Sequence, residues 1–169
     1  MSSEIVMNSS EAAPVLLLGR DEVASMLLST KGDYGVRAMI DLAKHSGEGP
    51  VQRADIARRR QIPESYLDHL LGQLRRAGFI RSVRGPGGGH LLAKPAEEIC
   101  LLHILEALEG SLAPLACLET HEGEAICGQD WVWQEIYDMM RARLAAVSLA
   151  DLVEHERVHE RDIAINYSI

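Results

Sequence analysis

The chain has 169 residues, 47% hydrophobic and 25% charged, with a single Phe. That is the composition of an ordinary globular protein with an aliphatic, helix-rich interior, and the length suits one domain with an appendage rather than two large ones. The longest strongly apolar run, Val15 to Leu18, is far short of the roughly 20 residues of a membrane span. Met1 to Ala13 carries Glu4 and Glu11 but no Lys or Arg, unlike a secretory leader. Three cysteines, Cys100, Cys117 and Cys127, make a poor disulfide framework; the expected setting is the reducing cytoplasm, with no membrane partner.

The formal net charge is -8, which by itself argues against nucleic acid as a partner. Its distribution reverses that argument. Residues 51–94 hold nine Lys or Arg against three acids, a net of +6, whereas residues 1–50 come to -3 and residues 95–169 to -11. A basic module lies between acidic flanks, which would discourage nucleic acid from binding elsewhere.

Residues 1–25 lack regular periodicity and read as a peripheral N-terminal extension. Met26, just beyond it, is an alternative start of translation. From Thr30 to about His45, Val36, Met39, Ile40 and Ala43 recur at helical spacing, and Ser46 to Pro50 stops the helix. Arg53 to Arg60 and Glu64 to Ala77 are two short helices about the turn Gln61-Ile62-Pro63, a helix-turn-helix closed by Gly78. Phe79 to Arg84 and His90 to Ala93 are strands about Gly85-Pro86-Gly87-Gly88-Gly89, a hairpin wing whose glycines admit close backbone approach. A nucleotide phosphate loop is disfavoured because His90 and Leu91 follow the glycines where Lys and Ser or Thr would be needed.

Pro95 to Glu109 reads as one further helix, with Cys100 as a core residue inside its apolar pattern. Residues 26–110 thus form a winged helix-turn-helix domain. Residues 111–130 are a loop holding Cys117 and Cys127. A long helix follows from Trp131 to about Val147, on which Trp133, Tyr137, Met140, Leu144 and Val147 repeat at four, three, four and three. Such a stripe is the seam of a helix pair, either with a second copy of the chain or against its own domain. The dimerisation region is assigned to residues 131–153 and a C-terminal tail to 154–169. The fold class expected is mainly α with a small β wing, a winged helix-turn-helix plus a long C-terminal dimerisation helix. A symmetric dimer would present two recognition helices to a pseudo-palindromic site in double-stranded DNA.

Leu28 to Ala43, Ser65-Tyr66-Leu67 and above all Ser82 to Lys94 resemble the iron-sulfur cluster regulator family, the IscR-like winged-helix regulators and their nitric-oxide-sensing NsrR-like relatives, over roughly Met26 to Leu152. The resemblance implies a dimeric promoter-binding regulator, not an enzyme, with a 2Fe-2S cluster held in the loop before the dimerisation helix. Cys117 and Cys127 match the family's first and last cysteines. The middle cysteine is absent, its neighbourhood being His121, Glu122 and Gly123. A four-ligand cluster then needs two non-cysteine ligands. Asp130 stands where the family has a histidine ligand, Asp33 matches an acidic ligand that NsrR-like members contribute from the partner subunit, and His121 is the third candidate. Oxygen and nitrogen donors suit a soft cluster less well than thiolate, so such a site would be labile. Asp33 reads equally as a helix-head cap and Asp130 as a cap of the long helix. A chain whose site had lost the cluster would respond instead to a thiol change, a small molecule or a protein partner.

For DNA reading, Ser65, Tyr66, Asp68 and His69 lie on the N-terminal part of the second helix of the motif, from which side chains reach base edges. Tyr66 reads equally as half core. An acid at position 68 repels phosphate but can accept from cytosine N4, and the resemblance associates it with discrimination between DNA sites. Arg58, Arg59 and Arg60 are expected at phosphates, Arg84 at the minor groove, and Gly87 and Gly88 at close approach in the wing. One motif competes: His155-Glu156-Arg157-Val158-His159 matches the H-E-x-x-H zinc peptidase signature. It lacks a distant third ligand in the ten residues that follow, and the plainer reading is a solvated tail helix.

Overall fold

The computed structural model describes residues 28–114 and 128–166, so the N-terminal extension, Met26 and most of the cysteine loop lie outside it. The elements are α1 (Thr30–Lys44), α2 (Arg53–Arg60), α3 (Glu64–Arg76), β1 (Ile80–Val83), β2 (Gly89–Leu92), a 3-10 turn (Ala96–Glu98), α4 (Leu101–Glu109), α5 (Asp130–Ala145) and α6 (Leu149–Asn166). It is a mainly α fold with a two-stranded antiparallel sheet, in the expected winged helix-turn-helix order. Among the described residues no helix is long and apolar enough to cross a membrane.

One core serves α1 to α4 and the first turn of α6. Met39, Ile56, Leu67, Leu70, Leu71, Leu74, Ile99, Ile104, Leu108 and Leu149 are all within 2% of complete burial, the apolar stripes of five helical segments turned on one centre. Between α2 and α3 the chain turns at Gln61, whose φ of 54° is left-handed, and the Ile62 amide bonds back to the Ala57 carbonyl at 3.0 Å. At the wing, Ile80 pairs with Leu92 and Val83 with Gly89. Val51 adds a third partner to this sheet, exchanging bonds of 3.0 and 2.8 Å with His90.

Two features differ from the sequence expectation. Pro95 to Glu109 is not one helix: after the 3-10 turn, Ile99 and Cys100 are extended, and α4 begins only at Leu101. The reason is tertiary pairing. The Leu101 amide bonds to the Val147 carbonyl at 2.8 Å and the Leu149 amide to the Ile99 carbonyl at 2.7 Å, tying the start of α4 to the α5–α6 junction. Cys100 is therefore a half-buried residue of an extended bridge, not a core residue of a helix. The second feature is α6, a continuous helix through the proposed boundary at residues 153/154. Ser148 and Asp151 start it with a reciprocal capping box: the Asp151 carboxylate accepts from the Ser148 amide at 2.9 Å, and Ser148 Oγ accepts from the Asp151 amide at 3.1 Å. Those bonds hold the Asp151 carboxyl below its ordinary range.

The α1–α4 contact is close enough to require glycine. A Cβ at Gly35 would collide with the buried Leu108 side chain. Gly35→Ala is expected to be destabilising, because overpacking costs roughly 1–3 kcal/mol and outweighs the gain of about 1 kcal/mol in helix propensity. A lowered melting temperature and urea midpoint would bear this out; an unchanged or raised midpoint would contradict it.

Candidate functional site

α3 places Ser65, Asp68 and His69 on an exposed face, with Leu67, Leu70, Leu71 and Leu74 buried behind them. Tyr66 is half-buried, its ring edge-on to Tyr34 of α1 at 6.0 Å between centroids. The wing carries Arg84 and Gly87 to solvent. Gly88 and Gly89 have an internal reason as well: a Cβ at Gly88 would strike the Val83 and Gly85 carbonyls, and one at Gly89 the Val51 carbonyl. Close backbone packing inside the hairpin thus requires glycine there, in addition to any need for close approach to DNA.

The three consecutive arginines divide. Arg58 is exposed and, among the described residues, pairs only with Asp55, at 2.6 Å. Arg59 donates to both oxygens of Asp41, at 3.0 and 2.6 Å, and Arg60 donates from Nε to Asp41 Oδ1 at 3.2 Å. Arg60 also holds Glu156 of α6, which Lys44 of α1 approaches at 3.8 Å. Asp41 is 1% exposed, so Arg59 and Arg60 neutralise a buried carboxylate. The hydrogen bond that Arg59 donates to Asp41 raises the pKa of Arg59. For Arg60 burial pulls the other way, but Glu156 and Asp41 outweigh it and the pKa is again raised. Of the three arginines expected at phosphates, Arg59 and Arg60 thus hold α2 to α1 and α6.

Within the basic module, the cations left without an ion pair among the described residues lie outside α2. Arg75 and Arg76 end α3, Arg81 lies in the first wing strand and Arg84 just after it, and Lys94 follows the second. The end of α3 and the wing thus both carry exposed positive charge. In the second wing strand, His90 is half-buried and hydrogen-bonded to Ser82 Oγ through Nδ1 at 3.2 Å. Burial first, then the charge of Arg75, pushes its pKa down, so the imidazole adds no charge at neutral pH.

Cys117, His121 and Cys127 lie outside the described residues; the anchors of their loop do not. Glu109, the last residue of α4, accepts from the Ser29 amide at 3.2 Å and the Gly32 amide at 2.9 Å, capping the head of α1. The point where the loop departs is thereby fastened beside the helix that carries Asp33. Asp33 is half-buried and paired with Arg37 at 2.8 Å. At the other end Asp130 is the first residue of α5, and its carboxylate accepts from the Trp131 amide at 2.8 Å. Among the described residues no three His, Cys, Asp or Glu side chains converge as a metal-holding group.

Trp133, Tyr137, Met140 and Leu144 of α5, and Val147 just beyond its end, are half-buried, and Arg141 pairs with Glu106 of α4 at 3.2 Å. The more exposed apolar residues are Trp131, Val132, Ile136 and Met139, at 67%, 36%, 43% and 59%. The uncovered stripe is therefore the neighbouring one. On α6, His155 and His159 are exposed, but the Glu156 carboxylate is engaged by Arg60 and Lys44 and is no free base.

The Rrf2 profile, described as "Iron-dependent Transcriptional regulator", matches residues 28–155. The chain belongs to the Rrf2 family. It is 42% identical over 135 residues to the HTH-type transcriptional regulator IscR of Photorhabdus laumondii, covering 79% of this chain and 82% of that one. Among solved structures, T. potens IscR superimposes with a TM-score of 0.67 at 37% identity over 79% of this chain and 90% of that one. CymR, the global cysteine regulator of B. subtilis, does so with a TM-score of 0.66 at 37% identity, over 76% and 96%. The chain is an IscR-like DNA-binding transcriptional regulator, and a peptidase reading of the α6 motif is overturned by this kinship and by the pairing of Glu156.

The Glu156 contacts carry a pH dependence. Burial alone would raise its carboxyl, but the bond and charge of Arg60, with Lys44 beyond, hold it below the ordinary range. A depressed folded-state pKa means stabilisation that is present above the unfolded value and lost as pH falls through the folded one. Glu156→Gln should therefore lower the urea midpoint at neutral pH, with the gap to the unmutated protein closing below about pH 4. A gap that persists unchanged in acid would contradict the assignment.

Proposed function

We propose that the chain acts as a homodimeric transcriptional regulator that reads a pseudo-palindromic promoter site and reports iron-sulfur, redox or nitric oxide status through a labile 2Fe-2S cluster. The observation that carries this reading is the charged helix-and-wing surface in the same chain as a two-cysteine loop that starts beside α1 and ends at α5. Ser65, Tyr66 and His69 face base edges, and Asp68 lies among them as a discriminating acid whose carboxylate Arg53 holds. Arg58, with Arg75, Arg76 and Arg81, meets phosphates, and Arg84, Gly87 and Gly88 approach the minor groove. Cys117 and Cys127 are the thiolate ligands, completed by two of Asp33, Asp130 and His121. The donor set suits a cluster that is bound weakly: Asp33 must leave Arg37, and Asp130 must share its carboxylate with the Trp131 amide.

Anaerobic purification should yield visible charge-transfer absorption and near-equal iron and sulfide, both lost in Cys117→Ala and in Cys127→Ala. A colourless, iron-free anaerobic protein would reject the cluster. The similarity to CymR favours one second reading, a cluster-free regulator that responds to a thiol, small molecule or protein partner. That reading requires DNA affinity to change on thiol oxidation without iron. In either case affinity for a promoter fragment must fall steeply as salt rises; salt-independent binding would exclude this surface as the contact.

The uncovered stripe on α5 is assigned to the second copy of the chain. Ile136→Glu with Met139→Glu puts charge on two exposed apolar positions of that stripe and should convert a dimer to a monomer in sedimentation while leaving helix content unchanged. A dimer that survives both changes would place the interface elsewhere.

A further inference from the structure

Arg53 opens α2, and its guanidinium spans two acids of α3. Nε donates to Glu64 Oε1 at 2.9 Å, Nη2 lies 2.7 Å from the same residue, and Nη1 donates to Asp68 Oδ1 at 3.0 Å. Glu64 and Asp68 are one helical turn apart, interleaved with Ser65 and His69 on the exposed face of α3, and their side chains are 49% and 64% exposed. The helix assigned to base reading therefore carries two carboxylates, and one arginine from the neighbouring helix holds both.

Unpaired carboxylates there would act in two ways. They would repel the phosphate backbone, and they would accept from the N4 amino group of cytosine. We propose that Arg53 is a specificity-determining residue of this surface: by holding Glu64 and Asp68 it masks their charge from phosphate and withholds both from cytosine edges. The inference rests on the assignment of α3 to DNA reading. It accounts for what the ion pairs do at the surface, since exposed pairs contribute little to stability. It also separates Arg53 from Arg75, Arg76, Arg81 and Arg84, which make no ion pair among the described residues and remain available to phosphate. Arg53 acts chiefly through the acids beside it.

The test is a double-mutant cycle on the full chain, with affinity measured on a random-sequence DNA duplex and base preference by selection from a randomised duplex pool. Arg53→Ala should weaken random-duplex binding roughly tenfold through uncompensated like charge, and should enrich cytosine in the selected sites. In a Glu64→Gln, Asp68→Asn background the same change should have little effect on either readout. Thermal melting of all four proteins should be nearly the same. Equal weakening in both backgrounds would make Arg53 a direct phosphate contact, and no effect in either would make the cluster an inert surface pair; each overturns the masking role while leaving DNA reading intact. Failure of the unmutated protein to bind any duplex would overturn both.

Discussion

The fold hangs on a carboxylate that water does not reach. Asp41 sits in the last turn of α1 with Arg59 and Arg60 of α2 on its two oxygens. A buried charge is strongly unfavourable unless paired and hydrogen-bonded, so α2 must present two guanidiniums at that point. Arg60 then reaches Glu156, and Lys44 reaches Glu156 and Glu160, bringing α6 into the same network. Because α3 follows α2 after the short turn at Gln61, the pose of the recognition helix is set by ion pairs made behind it as well as by its leucine face.

The basic module consequently serves two purposes. Its α2 arginines are largely engaged inside the protein or with neighbouring acids, whereas those at the end of α3 and around the wing are left to the surface. Counting charge along the sequence cannot separate the two groups, since each arginine adds the same +1. Their separation depends on which acids the fold brings within reach, and Asp41, Glu64, Asp68 and Glu156 come from three different helices.

The cysteine loop is framed rather than free at its ends. Glu109 caps the head of α1 where the loop begins, and α5 leads on through the paired segments Ile99–Leu101 and Val147–Leu149 into α6, whose Glu156 holds Arg60. The two ends of the loop therefore connect by short covalent and hydrogen-bonded paths to α1 and α2. The anchors of the cysteine loop and α3 thus share one continuous frame of backbone pairing and a buried ion network.

The winged helix-turn-helix was legible in the sequence because its signals are local: leucines at helical spacing in α3, the turn before Pro63, Gly78, and the glycine hairpin. The family's wing motif and the two loop cysteines were legible for the same reason. The break of the 95–109 segment into a turn, an extended bridge and α4 was not, because its cause is a backbone partner nearly fifty residues away at Val147–Leu149. On α5 two apolar stripes lie side by side, at Trp133, Tyr137, Met140 and at Val132, Ile136, Met139, with the same four-and-three spacing. Periodicity shows that helix to be amphipathic without saying which stripe its own domain covers. Likewise Arg53, Arg59 and Arg60 read alike as positive charge. The sequence by itself determined the elements, their order and the kind of surface they make; only the tertiary structure decided which charges are paired and which faces are covered, because pairing and burial depend on distances between residues remote along the chain.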